Sequence, residues 1–314
     1  MLTGILAGVM WALETVLLGI AMRSSAMVST EQALFLAPFV ATFLHDACSA
    51  ILLLIGHAVR GELRGLLGVF RTPNWKWLIL SSSVGGPVGM TGYVLAVNCL
   101  GSSVGAVASA VYPAIGTVLA FLFLKERVRW YQWIFLLFTL LGVYGISYSP
   151  TLEVQNLWLG LLGALMCAFG WGIEAVILAK CLRSDGVKNE HALAIRQTTS
   201  ALIYGAILLP LLGGWGFTAG LFAAGLQTLF ATIAGAALCA TVSYLLYYKT
   251  IAKVGAAKAM ALNITYTAWS ILFGAVILRD TSALNPTTLA CSAVVVICGI
   301  CAATDVRALF AKRR

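Results

Sequence analysis

Runs of about 20 apolar residues, each long enough to cross a hydrocarbon core of roughly 30 Å, recur from one end of this 314-residue chain to the other. Inside a bilayer no water is available to exposed N–H and C=O groups, so segments of this kind must satisfy their own backbone as helices. Ten spans are expected, at Leu2 to Met22, Ala33 to Ala58, Trp75 to Val97, Ser102 to Leu124, Trp130 to Ser147, Leu157 to Lys180, Ala192 to Leu212, Phe222 to Ile251, Ala256 to Leu278 and Thr287 to Ala303. The fold class that follows is all-α integral membrane, with nothing left over for a soluble domain. Charged residues make up only 10% of the chain, where soluble domains carry roughly 25%. The first span lacks a basic segment before it and an A-x-A pattern after it, so it is expected to be a retained helix and the mature chain to start at Met1.

A net charge of +9 suggests acidic or nucleic-acid partners until the charges are placed. All of the 20 Lys and Arg residues except Arg23, Arg196 and Arg279 fall in loops and a tail on one side of the expected spans. That bias is the signature of the cytoplasmic face, so both termini are expected there and no nucleic-acid role is needed. The eight cysteines sit mostly within the spans, and Cys298-Gly-Ile-Cys301 is their only Cys-x-x-Cys. Small apolar cysteines pack well between helices, so neither a disulfide framework nor a metal or other cofactor is expected.

The chain also repeats itself. Trp11-Ala-Leu-Glu14 echoes Trp171-Gly-Ile-Glu174, and an offset of 154 pairs Gly101 with Gly255, Tyr112 with Tyr266, and Lys125-Glu126 with Arg279-Asp280. Residues 1–149 and 150–314 are therefore read as two five-helix repeats in one membrane domain. With an odd number of spans in each, the second must cross in the opposite sense, and inverted repeats place a site between the halves. Gly4 and Gly8, Gly85 and Gly89, Gly101 and Gly105, and Gly216 and Gly220 stand at GxxxG spacing and favour close helix packing. Val84-Gly-Gly-Pro-Val-Gly89 lacks the Gly-Lys-Ser/Thr of a phosphate loop and reads as a kink or unwound turn, with Pro87 freeing one carbonyl.

Ionisable groups at membrane depth cost at least about 2.5 kcal/mol each on insertion scales, which directs attention to Glu14, His45, Asp46, Glu174 and Arg196. Three acids against one fixed base leave the interior negative, and that imbalance points to a cationic substrate, a proton, or both. Trp11 and Trp171 lie three residues before their glutamates, on the same helix face. Tyr244, Tyr247 and Tyr248 form a second aromatic stripe, and Asn263, Tyr266 and Trp269 a third. An aromatic box attracts a quaternary ammonium at about 0.5–2 kcal/mol per ring, without offering hydrogen bonds that a methylated nitrogen cannot use. His45 and Asp46 are adjacent, about 100° apart on a helix, so one of them is expected to line the path as a proton-coupling group. Asp46 and Arg196 occupy matching depths in the two halves and form a candidate buried pair. His57 and His191, near span ends, are expected to be solvated.

An enzyme is not expected: the chain has no His-x-x-Glu-His and no pair of histidines at metal-ligand spacing. On Gly86-Pro-Val-Gly-Met90, Gly101-Ser-Ser with Tyr112-Pro113, Phe121-Leu-Phe-Leu-Lys125, Ala194-Ile-Arg-Gln-Thr-Thr-Ser200 and Leu262-Asn-Ile-Thr-Tyr-Thr-Ala-Trp269, the chain resembles the EamA-type drug/metabolite transporters, and within them the LicB-type bacterial choline transporters. His45-Asp46 and Ser243-Tyr-Leu-Leu-Tyr-Tyr248 fit the same pattern. The resemblance implies import of choline or a related quaternary ammonium compound at the bacterial cytoplasmic membrane, by alternating access and coupled to protons. It implies an amine enclosed by Trp11, Trp171, Tyr244, Tyr247 and Trp269, with Glu174 as counter-ion. Glu14 stands where the family carries a small residue and Tyr93 where it carries a smaller polar one. Both changes face the expected cavity, so the preferred substrate could differ from choline in size or charge. Two other readings stay open. An exporter of amino acids or other small hydrophobic metabolites would need Arg196 free for a carboxylate, and an intramembrane transferase would need a large polar loop that the chain lacks.

Overall fold

The computed structural model describes residues 1–100, 107, 110–148, 156–183, 187–279, 281–282 and 284–305. Ten helices carry the architecture: α1 (Leu2–Met22), α2 (Glu31–Val59), α3 (Trp75–Leu100), α4 (Tyr112–Phe123), α5 (Trp130–Ser147), α6 (Leu157–Arg183), α7 (Asn189–Leu211), α8 (Gln227–Val254), α9 (Ala256–Leu278) and α10 (Pro286–Ala303). Among the described residues, all of these except α4 are long and apolar enough to cross a membrane, nine in number. The segment described for α4 has 12 residues. The start of the fourth expected span, the Gly101 and Gly105 pair, Asp280 and the basic tail lie outside the described residues.

Helix ends are set by local chemistry. Thr30 caps α2 by accepting from the Ala33 N–H at 3.0 Å, and Asn285 caps α10 by accepting from the Thr288 N–H at 2.9 Å, with Pro286 in the first turn. The eighth span begins at Gln227 rather than at Phe222 as expected. Gly214–Ala223 forms a separate short helix, and Gly225, at φ 63°, turns the chain before α8 starts. α3 widens into a π turn over Val84–Val88, around Pro87, and α9 is interrupted between Asn263 and Tyr266.

α1 packs along α8 and the second half of α9, and α6 packs along α3 and α4. α2 lies against α7, and α5 against α10. Exchanging the first five helices for the last five reproduces each of these pairings. Lys125 and Arg279, at the offset that relates Tyr112 to Tyr266, are the two non-glycine residues with positive φ among the described residues, at 53° and 54°. At one end of the bundle the Thr250 hydroxyl donates to the Thr3 hydroxyl at 2.9 Å, and Arg129 pairs with Asp305 at 2.7 Å. Glu126 closes the same end: its carboxylate accepts from the Ala256 and Ala257 N–H groups at 3.0 and 3.1 Å, at the positive N-terminus of α9, and from Arg183. At the opposite end the Asn156 N–H donates to the Cys99 carbonyl at 3.2 Å.

Close packing concentrates where α3 meets α6. A Cβ placed on Gly92 would lie 2.6 Å from the Gly163 carbonyl oxygen and the Cys167 nitrogen, both backbone atoms that cannot swing aside. Gly92→Ala is accordingly expected to cost about 1–3 kcal/mol, seen as a lower thermal unfolding midpoint in detergent. An unchanged midpoint would show that these helices separate freely. Gly4 and Gly8 meet α9, and Gly85 and Gly89 meet Glu174 and Trp171. Gly216 and Gly220, expected to pack, face open space because their short helix meets the bundle through other residues, Trp215 against Phe43 of α2 and the buried Leu221.

Candidate functional site

The five ionisable residues expected at membrane depth, Glu14, His45, Asp46, Glu174 and Arg196, come together at the centre of the bundle, on α1, α2, α6 and α7. Glu14 Oε1 lies 3.7 Å from His45 Nε2, and His45 Nδ1 lies 2.9 Å from Asp46 Oδ1. Asp46 Oδ2 is 3.7 Å from Arg196 Nη1, whose Nε donates to Glu174 Oε1 at 3.1 Å. The order acid, base, acid, base, acid therefore runs from the first half of the chain into the second. In a low-dielectric interior each charge needs such a partner to offset its lost hydration. Arg196 also donates to Gln197 Oε1 at 2.6 Å and lies 4.6 Å over the Tyr244 ring.

Two cavities adjoin this chain of charges. The larger, about 310 Å³, is bordered by Glu14, Thr42, His45, Asp46, Tyr93 and Arg196 and runs to Gly19 and Met22, away from the end closed by Glu126. It falls in the size range of small-molecule sites. The smaller, about 30 Å³, has room for a water or two among Tyr112, Glu174, Tyr247, Tyr248 and Asn263. Trp11, Trp171, Tyr244 and Tyr266 line both and form the partition between them. The Trp11 ring centroid is 4.9 Å from that of Tyr244 and 5.9 Å from that of Tyr266. Trp171 stacks on Tyr93 at 6.0 Å and meets Tyr112 edge-on at 5.5 Å. Its indole N–H donates to the Gly85 carbonyl at 3.1 Å, an oxygen presented by the π turn of α3. Asn263 donates to the Tyr112 hydroxyl at 3.1 Å.

Several expectations need correction. His45 and Asp46 both line the larger cavity, because the His45 ring leans along the helix onto its neighbour's carboxylate despite the angular separation of their Cβ atoms. The Asp46 and Arg196 pair is present, but Arg196 makes its shorter contact with Glu174. Glu174 therefore already has a cation on one of its oxygens. Trp269 lines neither cavity: it follows Tyr266 on the same helical segment, and a step of three residues carries it most of a turn along the helix and about 60° round from Tyr266. His57 and His191 are buried, with ring centroids 5.1 Å apart.

The sequence reading missed the polar support beneath the charges. Ser200 donates to Asp46 Oδ2 at 2.6 Å, Gln197 Nε2 donates to Ser49 Oγ at 2.9 Å, and Ser49 and Thr241 share a hydrogen bond of 2.7 Å. Its signal was present as an unbroken polar run, Arg196-Gln-Thr-Thr-Ser200, inside an otherwise apolar span.

Residues 1–148 match the EamA-like transporter family. Protein LicB of Haemophilus influenzae (strain ATCC 51907 / DSM 11121 / KW20 / Rd) is 28% identical over 289 residues, covering 92% of this chain and 91% of LicB. A protein of known crystal structure, 18% identical, superimposes with a TM-score of 0.69 over 100% of this chain and 98% of its own, a likeness of fold. A helical bundle with nine membrane-length apolar helices among the described residues, a family match over residues 1–148 and a relative aligned nearly end to end lead to one statement: this chain is a multi-pass membrane protein that is similar to the EamA-like transporters over residues 1–148 and to LicB over nearly its full length.

Proposed function

We propose that the transporter imports choline or a related quaternary ammonium compound across the bacterial cytoplasmic membrane. The observation that carries this reading is the partition of Trp11, Trp171, Tyr244 and Tyr266 beside a carboxylate, Glu14, with which no arginine or lysine pairs among the described residues. Aromatic faces attract a methylated ammonium, and Glu14 supplies the opposite charge. Arg196 is held between Asp46 and Glu174 and is not free to receive a substrate carboxylate, which weighs against amino-acid export.

The transport cycle proposed is alternating access by two inverted five-helix repeats, residues 1–149 and 150–314, in ten spans with both termini cytoplasmic. The exchange symmetry of the helix pairings and the matching left-handed Lys125 and Arg279 support the repeat. In that topology the larger cavity reaches toward the outside at Met22, and the Glu126 contacts close the cytoplasmic end. Inward movement of one positive charge gains about 2.3 kcal/mol per 100 mV of inside-negative potential, which corresponds to roughly 50-fold accumulation. His45, between Glu14 and Asp46, is the group that would carry a coupled proton.

Calorimetric titration of the detergent-purified protein with choline, and with betaine and tryptophan alongside, tests the reading. Saturable choline binding is expected. Trp171→Ala is expected to weaken it about 2- to 30-fold, the worth of one desolvated cation–π contact. Binding of tryptophan or betaine without choline would overturn the assignment.

A further inference from the structure

Away from the central site, at the end closed by Glu126, a second cluster joins the halves. His57 is in the last turn of α2, Glu62 lies just beyond it, and His191 is in the first turn of α7. One ligand-capable atom from each, a ring nitrogen from both histidines and a carboxylate oxygen, fall within 4.8 Å of one another. Both rings are almost wholly buried, 4% exposed for His57 and 3% for His191. Yet His57 Nε2 and both nitrogens of His191 have no hydrogen-bond partner among the described residues. Leaving three imidazole nitrogens unsatisfied in one small volume is costly unless something else engages them.

The geometry points to a divalent transition-metal site of the Zn²⁺ class, with His57, His191 and Glu62 as its protein ligands. His57 Nδ1 is 2.7 Å from the Leu53 carbonyl, an acceptor, so Nδ1 carries the proton and Nε2 presents its lone pair to the cluster. Metal-binding histidines are oriented in this way by a backbone carbonyl behind them. Two imidazoles and one carboxylate, with a water completing the tetrahedron, is a ligand set that Zn²⁺ accepts. Ligand atoms around tetrahedral zinc sit about 3.3 Å apart, so side chains now within 4.8 Å of one another need to draw together by at most about 1.5 Å. Gly65 allows this approach: a Cβ there would come to 3.0 Å from His191 Cε1, so the short Leu63–Gly68 helix can cover the ring.

Lys188 is the resident competitor. Its Nζ donates to Glu62 Oε1 at 2.8 Å, so the carboxylate already holds a cation. Metal entry requires Glu62 to share its carboxylate with, or release it from, Lys188. Because His57 and Glu62 belong to the first half of the chain and His191 to the second, a bound ion would pin the halves together at this end.

The test uses the full-length protein in detergent, stripped with chelator and titrated with ZnCl₂ against a chromogenic zinc indicator. One Zn²⁺ per chain is expected, with a concentration-dependent rise in unfolding temperature. Co²⁺ in its place should give the intense visible bands of a four-coordinate site. His191→Asn should abolish the stoichiometric ion, and Lys188→Met, which leaves the three ligands intact, should tighten it about tenfold or more. Absence of stoichiometric Zn²⁺ uptake by the wild-type protein, or equal uptake by a folded His57→Ala/His191→Asn variant, would overturn the assignment.

Discussion

Replacing Arg196 by Met is expected to remove about 3–5 kcal/mol of stability and to abolish uptake, the largest effect anticipated for any single side chain here. The guanidinium reaches Glu174 through Nε at 3.1 Å and approaches Asp46 through Nη1 at 3.7 Å. Its loss strips the buried Glu174 carboxylate of its cation and leaves Asp46 with His45 and Ser200 alone. Arg196→Lys should recover part of the charge but little of the function, because one ammonium cannot serve both acids and Gln197 as a planar fork does. Removing Glu174 together with Arg196 should be milder than the sum of the single changes, since the two form one network. The measurements are thermal unfolding in detergent and choline uptake into proteoliposomes. A folded Arg196→Met protein with wild-type unfolding temperature would mean that Asp46 and Glu174 are neutralised without it.

Glu14→Gln is expected to weaken choline binding about 10- to 150-fold, the range for losing a partner to a charged group at 1.5–3 kcal/mol. Glu14 Oε1 has His45 Nε2 at 3.7 Å as its basic neighbour and faces the larger cavity, so its charge is available to an incoming cation. Glu174→Gln should do less to choline affinity, because the carboxylate it alters is already engaged by Arg196. Calorimetry on the two variants separates the roles. If Glu174→Gln is the more damaging of the two, Glu174 is the counter-ion and Arg196 must release it when substrate enters.

The apolar period and the position of the basic residues made the helical membrane architecture legible without coordinates, because a bilayer leaves a chain of this composition few other solutions. The Trp-x-x-Glu echo likewise singled out α1 and α6. Partnership within the site was another matter. Matching depth in the two halves suggested Asp46 for Arg196, but its shorter contact comes from Glu174 on α6. A helical wheel set His45 and Asp46 on different faces, and it omitted the reach of an imidazole along the helix surface. A strict period of three carried Trp269 into the site, but three residues fall short of a full turn, so Trp269 sits about 60° round the helix from Tyr266. His57 and His191 looked like solvated helix ends until α2 and α7 met and buried them against each other. The sequence by itself determined which residues are too polar for their surroundings, because desolvation cost depends on residue type and depth. Which of them satisfy one another was decided by tertiary structure alone, since a contact of 3 Å between helices depends on rotations and kinks that no single helix contains.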